Sequence, residues 1–246
     1  GIHHYQISNL VADIEGVLDA LGIGQAVICG HDWGGIIVWH AARMIAPRVT
    51  GVISICTPHL KRPPADPIAI FEKRFGPDHY FVDFVQNPGA AEALFERNIE
   101  AFFRLMFRKT PKDAQPSKEM YFIPKRFADY LDKGAPDIGG LVMDEADLQV
   151  YIDAYRQSGF HGGVNLYRNT GPNWRLTGGL TDKVTQPSLM ISAAQDLFLP
   201  PAATEPMPGM IADLKRVVIE DCGHWAMWEQ PDAVNAAMLD WLGRDK

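Results

Sequence analysis

Asp32 stands at the centre of Gly30-His31-Asp32-Trp33-Gly34-Gly35, a Gly-x-Asp-x-Gly string between an apolar run and a helical stretch. A sharp turn between strand and helix needs glycines two positions either side of its centre. Gly30 and Gly34 meet that requirement in the sequence. Such a turn presents its central side chain to the site, with the positive end and free N–H groups of the next helix aimed at it. A carboxylate there can attack an sp³ carbon and leave an alkyl ester, which water must then hydrolyse at the aspartyl carbonyl. The N–H of Trp33 is the expected oxyanion donor for that second step. The competing reading is an ordinary glycine-rich junction, with Asp32 as a helix cap and Trp33 as packing.

Two downstream residues favour chemistry. Asp196, in Ala194-Gln195-Asp196, and His224, in Asp221-Cys222-Gly223-His224-Trp225, follow late apolar runs in the order nucleophile, acid, histidine. His224 is expected to activate water and Asp196 to orient its ring; the alternative for Asp196 is a turn-forming aspartate before Leu197. His31 is expected to point away from the nucleophile, and His3 and His4 lie in the terminal segment.

The elements that must position these groups follow from periodicity. Apolar positions predict a helix over 8–22, capped by Ser8 or Asn9 and ended by Gly22. Strands are expected at Ala26–Gly30 and Val49–Cys56, with a helix from Ile36 to Ala46 between them. From Pro58 to about Thr181 the pattern becomes helical, clearest at Ala90–Arg108 and Glu145–Ser158, with loops at Pro63-Pro64, Pro111, Pro116 and Pro136. Strands resume at Ser188–Ser192 and Arg216–Ile219, and a last helix covers Pro231–Leu242. The expected architecture is α/β, a mostly parallel sheet flanked by helices, with a helical lid inserted after the second strand. Residues 1–57 and 182–246 are expected to form the core and 58–181 the lid.

A chain of 246 residues, 47% hydrophobic and 22% charged, can bury a substantial core. Its net charge of −7 argues against a nucleic-acid partner, and Lys61-Arg62 and Arg108-Lys109 are too short to offset it. Cys29, Cys56 and Cys222 form no Cys-x-x-Cys pair, which points to free thiols in a reducing compartment. No metal or cofactor is expected. No signal sequence and no membrane-crossing apolar stretch is apparent, so the expected location is the cytoplasm, without membrane association. Assembly is left open between monomer and homodimer.

Together these residues resemble the soluble epoxide hydrolases of the α/β-hydrolase superfamily. The resemblance rests on Gly-His-Asp-Trp-Gly-Gly at 30–35, Ser158-Gly159-Phe160, Asn165-Leu166-Tyr167-Arg168-Asn169 and Gly223-His224-Trp225. It implies that two lid tyrosines hydrogen-bond the epoxide oxygen and donate a proton as the ring opens. Tyr151, eight residues before Gly159, matches one of them, with lid packing as the alternative. Against Gln86-Asn87-Pro88-Gly89 the other falls on Phe81, so a one-residue shift nominates Tyr80, with His79 as substitute donor. Trp33, Phe81, Tyr155 and Trp225 are the expected substrate contacts, and the partners are a small apolar epoxide and water. Phe102, Phe103, Met106, Phe107 and Met143 suggest an apolar lid cavity.

One departure stands out. The family carries His-Gly-x-Pro upstream, supplying a second oxyanion donor, and none occurs in the 31 residues before Asp32. The early strands are missing too, which leaves the strand before Asp32 unpaired on one side and suggests a fragment, or a segment supplied elsewhere. Two further readings stay open. A haloalkane dehalogenase would use the same triad with a halide cradle, half of it Trp33. A silent hydrolase-fold protein would bind a ligand without turnover.

Overall fold

The computed structural model describes residues 1–134 and 139–243, so the loop expected at Pro136 lies outside the described residues. The chain divides into two compact units. The sheet unit holds residues 7–62 and the chain from Thr177 onward; the helical unit holds residues 1–6 and 63–176.

In the sheet unit, four parallel strands among the described residues lie in the order β1-β2-β3-β4. They are β1 (Ala26–His31), β2 (Val49–Ile55), β3 (Ser188–Ala193) and β4 (Leu214–Ile219). Cys29 pairs with Ile53, Ile53 with Leu189, and Leu189 with Lys215. Among the described residues β1 and β4 are the edges, so β1 pairs on one side only. All six residues of β3 are buried, as expected for a central parallel strand covered on both faces. Its alternating side chains serve two cores. Met190 packs with Val38, Trp39 and Val52 on one side, while Leu189 and Ile191 pack with Ile219, Val234 and Trp241 on the other.

Helices α1 (Ile7–Ala20) and α2 (Trp33–Met44) contribute to the first of these cores. The start of α1 at Ile7 makes Ser8 and Asn9 helical residues rather than the expected cap. The start of α2 at Trp33, three residues before the expected Ile36, means that the helix begins directly on the nucleophile candidate.

Among the described residues eight α-helices follow in the helical unit: α3 (Pro67–Phe75), α4 (Tyr80–Gln86), α5 (Ala90–Glu96), α6 (Ile99–Met106), α7 (Ile123–Lys133), α8 (Glu145–Ser158), α9 (His161–Arg168) and α10 (Thr170–Leu176). The single helix expected over Ala90–Arg108 is two. Asn98 breaks it, because its side-chain oxygen accepts the Ala101 N–H at 3.0 Å and so opens a new helix. Asp66 and Asp144 cap α3 and α8 in the same way. The first six residues, grouped with the core in the sequence expectation, belong to this unit: Asn169 Nδ2 donates to the Ile2 carbonyl at 2.8 Å. Phe103, Phe107 and Met143, expected to line a cavity, are buried in its core. A buried ion pair crosses this core. Arg168 meets Glu92 with both guanidinium nitrogens and donates through Nε to the Phe84 carbonyl at 2.8 Å, tying α9 to α5 and α4. The sheet unit closes with α11 (Ala226–Glu229) and α12 (Pro231–Gly243).

Candidate active site

Asp32 takes φ 52 and ψ −118, a conformation that costs a non-glycine residue on the order of 1–3 kcal/mol. The surroundings hold it there. Its carbonyl accepts the Ile36 N–H at 3.2 Å, which begins α2, and the Thr57 hydroxyl at 2.8 Å. Thr57 is itself fixed, its carbonyl accepting from Ser54 Oγ at 2.6 Å and Trp39 Nε1 at 2.9 Å. The glycines of the turn do unequal work. A Cβ on Gly30 would lie 2.2 Å from the Gly34 carbonyl, and one on Gly35 would lie 2.6 Å from Thr57 Cβ, whereas one on Gly34 would meet nothing. The sequence expectation paired Gly30 with Gly34; the structure demands Gly30 and Gly35, because the chain turns back over Gly34 backbone rather than over a side chain.

The Asp32 side chain takes no capping bond further into α2 than the Trp33 N–H, so capping does not account for its placement. It meets His224 instead, Oδ2 lying 3.3 Å from Nε2. The other ring nitrogen of His224, Nδ1, is 2.8 Å from Asp196 Oδ2. Asp196 is 2% exposed and uses both oxygens: Oδ1 accepts the N–H groups of Phe198 and Leu199 at 2.9 and 3.0 Å, and Oδ2 takes the histidine. Asp196 therefore gives one oxygen to its own turn and the other to the histidine ring.

Burial alone would raise the Asp32 carboxyl above its ordinary range. The His224 hydrogen bond and charge, with His31 and the Trp33 N–H bond, outweigh it and hold the group low. The same balance acts on His224. Burial disfavours its cation, but the bonds to Asp196 and Asp32 prevail and lift it from 6.5 to about 10. The resting site thus sets the Asp32 carboxylate against a His224 imidazolium. Trp225 flanks the histidine, ring centroids 5.2 Å apart.

The loop carrying His224 is fastened along its length. Gln195 N–H donates to the Cys222 carbonyl at 2.9 Å, and Gly223 N–H to Glu229 Oε1 at 3.0 Å. The His224 carbonyl accepts from His31 Nε2 at 2.8 Å and from the Cys56 thiol at 3.4 Å. Nothing in the sequence spacing points to Cys56, and His31 is placed there only as the neighbour of Asp32. His31, Cys56 and His224 bring potential ligand atoms within 4.8 Å of one another, the one such group among the described residues. Burial pushes the Cys56 thiol well up, so the thiolate a metal would require is disfavoured. These three residues make a hydrogen-bonded cluster.

Within the helical unit, Tyr151 packs its ring on Phe107 and Phe103, centroids 4.7 and 5.8 Å away. Tyr155, one turn on, packs on Phe103 and Phe160; burial and the Tyr151 hydroxyl push its phenol up. Tyr155 also lines an open pocket of about 260 Å³ with Tyr5, Ser158 and His161. Tyr80, the first residue of α4, packs with Phe81, Phe84 and Tyr167. His79 serves differently from the donor role considered for it. Its Nδ1 accepts the Phe81 N–H at 3.3 Å to cap α4, and its ring stacks with Phe71, Phe75 and Tyr121, where burial lowers it to about 4. A group so hard to protonate is a helix cap inside an aromatic box.

Comparison with known proteins came down on one family. Residues 1–231 match the family described as alpha/beta hydrolase fold. Bifunctional epoxide hydrolase 2 of Sus scrofa is 34% identical over 99% of this chain, which spans 43% of that protein. Epoxide hydrolase A of Mycobacterium tuberculosis is 33% identical over 98% of this chain and 76% of its own length. The solved epoxide hydrolase from an endophytic Streptomyces superposes with a TM-score of 0.87 at 32% identity, covering 98% of this chain and 75% of that one.

Proposed function

This chain belongs to the α/β-hydrolase superfamily and, within it, to the epoxide hydrolases, and we propose that it converts a small apolar epoxide and water to a vicinal diol through an alkyl ester on Asp32. The observation that carries the proposal is the strained aspartate whose carboxylate faces His224 Nε2 at 3.3 Å, with Asp196 behind the ring.

In the first step a carboxylate oxygen of Asp32 attacks a ring carbon from the face opposite the breaking C–O bond. The ring oxygen leaves with a proton from a phenol, for which Tyr151 and Tyr80 of the helical unit are the proposed donors, since an alkoxide leaves poorly at neutral pH. In the second step water gives a proton to His224 and adds to the ester carbonyl. The tetrahedral intermediate, its oxyanion held by the Trp33 N–H, collapses, and the departing alkoxide takes up the remaining hydroxyl proton, which releases the diol, returns the carboxylate and leaves His224 as the cation it was at rest.

The charges suit this order. His224 is a cation beside ionised Asp32 and is no base in that state. Esterification removes the Asp32 charge and with it one of the two partners holding the ring proton, so that proton passes to the phenolate left by ring opening and the ring becomes a base for the second step. Trp33, Phe81, Tyr155 and Trp225 are the proposed substrate contacts.

Among the described residues no helix is long and apolar enough to cross a membrane, and Cys29, Cys56 and Cys222 are free thiols. These features agree with a cytoplasmic location. The test of the function is a diol assay over small, aromatic and long-chain epoxides, with Asp32→Ala as control. Diol formed equally by both chains contradicts the proposal.

A further inference from the structure

The backbone carbonyl of His224 accepts two side-chain hydrogen bonds, from His31 Nε2 at 2.8 Å and Cys56 Sγ at 3.4 Å, and neither donor is a reacting group in the chemistry described above. We propose that His31 and Cys56 are positioning residues: together they clamp the His224 carbonyl and so set the base at the height the ester hydrolysis step requires. The inference rests on the reading of Asp32 as an ester-forming nucleophile.

The origin of the two donors makes the case. His31 is the last residue of β1 and the immediate neighbour of Asp32, so the clamp ties the base to the turn that carries the nucleophile. Cys56 directly follows β2, is fully buried, and takes φ 62, one of only three non-glycine residues at positive φ among those described. The other two are Asp32 and Asp221, the latter in the His224 loop. Strain at a buried cysteine persists only where the surroundings fix it, here by the Cys56 N–H bond to the Ile191 carbonyl at 2.7 Å. A carbonyl can only accept, so His31 carries its proton on Nε2. Burial and the His224 charge keep the His31 ring neutral, at about 4, and burial keeps the Cys56 thiol protonated, so both donors persist across the neutral range.

The Asp196 and Asp32 contacts orient the ring of His224, but the ring still shifts wherever its own backbone moves. Two bonds to the carbonyl of the same residue hold that backbone in place. The nucleophilic attack does not use His224 as a base; the hydrolysis does. Loss of the clamp should therefore separate the two half-reactions.

The experiment follows both half-reactions in the full chain with styrene oxide as probe, by quenched flow and intact-mass measurement of the Asp32 adduct. In His31→Phe, adduct formation should keep its rate while adduct decay slows about 10–100-fold, so that the alkylated chain accumulates. His31→Gln, whose amide N–H can reach the same carbonyl, should recover most of the decay rate. Cys56→Ala should slow decay by a smaller factor, and it decides the matter with His31→Gln if His31→Phe does not fold. Equal slowing of formation and decay, absence of rescue by His31→Gln, or decay at the wild-type rate in the folded variants would each overturn the clamp. A His224→Gln chain that turns over no epoxide and forms no adduct would overturn the ester reading, and the clamp with it. Adduct in His224→Gln with normal decay in the His31 and Cys56 variants would overturn the clamp alone.

Discussion

The two units hold their proposed working residues by opposite means. In the sheet unit Asp32, Asp196 and His224 sit at the carboxyl ends of parallel strands, each fixed by backbone hydrogen bonds and two of the three turns strained. In the helical unit Tyr80, Tyr151 and Tyr155 are held by aromatic packing, and one buried ion pair, Arg168 with Glu92, fastens three helices. Backbone hydrogen bonds fix a side chain to tenths of an ångström and suit bond-making. Aromatic faces accept a range of rotations and suit an apolar substrate of varying shape. The difference in means mirrors the difference in proposed task.

Substitutions sharpen that contrast, beginning with the largest effect. Asp32→Ala should lower turnover by about 10⁴-fold or more with the fold intact, because the rest of the site cannot form the ester. Turnover measured beside circular dichroism checks this, and residual activity near wild type would break the account of the sheet unit. Arg168→Leu should cost about 3–5 kcal/mol, since it strands the Glu92 carboxylate in the core. Hydrogen exchange should then rise across α4, α5 and α9 while β1–β4 stay protected. Equal exposure of both units would show that they are not held separately.

Gly30→Ala places a Cβ 2.2 Å from Gly34 backbone and should destabilise by about 1–3 kcal/mol, with loss of activity exceeding the loss of folded protein. Gly34→Ala meets nothing and should be milder in denaturant unfolding. The smallest effect is on pH dependence. His224 titrates at about 10 in the folded chain against 6.5, so the stability it contributes is complete below pH 6.5 and is lost as pH rises through 10. His31, His40 and His79, lowered to about 4, act oppositely, and stability falls from pH 6.5 toward 4 as the unfolded chain takes up protons. Thermal unfolding against pH should therefore form a dome, and His224→Gln should flatten its alkaline side.

The same contrast explains what could be read in the sequence. Asp32, Asp196 and His224 were legible because a strand-to-helix turn and the loops after late strands impose local spacing, and the geometry joins all three. The parallel order of the strands followed from their apolar runs. Gly34 was misjudged because spacing does not tell which glycine meets backbone. Asn98 was hidden inside an apolar periodicity that runs unbroken through it. Cys56 and His31 gave no signal, since their common acceptor is a backbone carbonyl 168 and 193 residues away. His79 reads as a substitute donor for Tyr80 because spacing cannot reveal the rings of Phe71, Phe75, Tyr80, Phe81 and Tyr121 around it.

The central claim is that the carboxylate of Asp32 forms and loses an ester at every turnover. Incubation with excess styrene oxide in heavy-oxygen water, followed by mass analysis of the peptide that contains Asp32, tests it most directly. The account predicts heavy oxygen accumulating in Asp32 over repeated turnovers, because water attacks the aspartyl carbonyl. Diol that forms catalytically while that peptide stays unlabelled would contradict it.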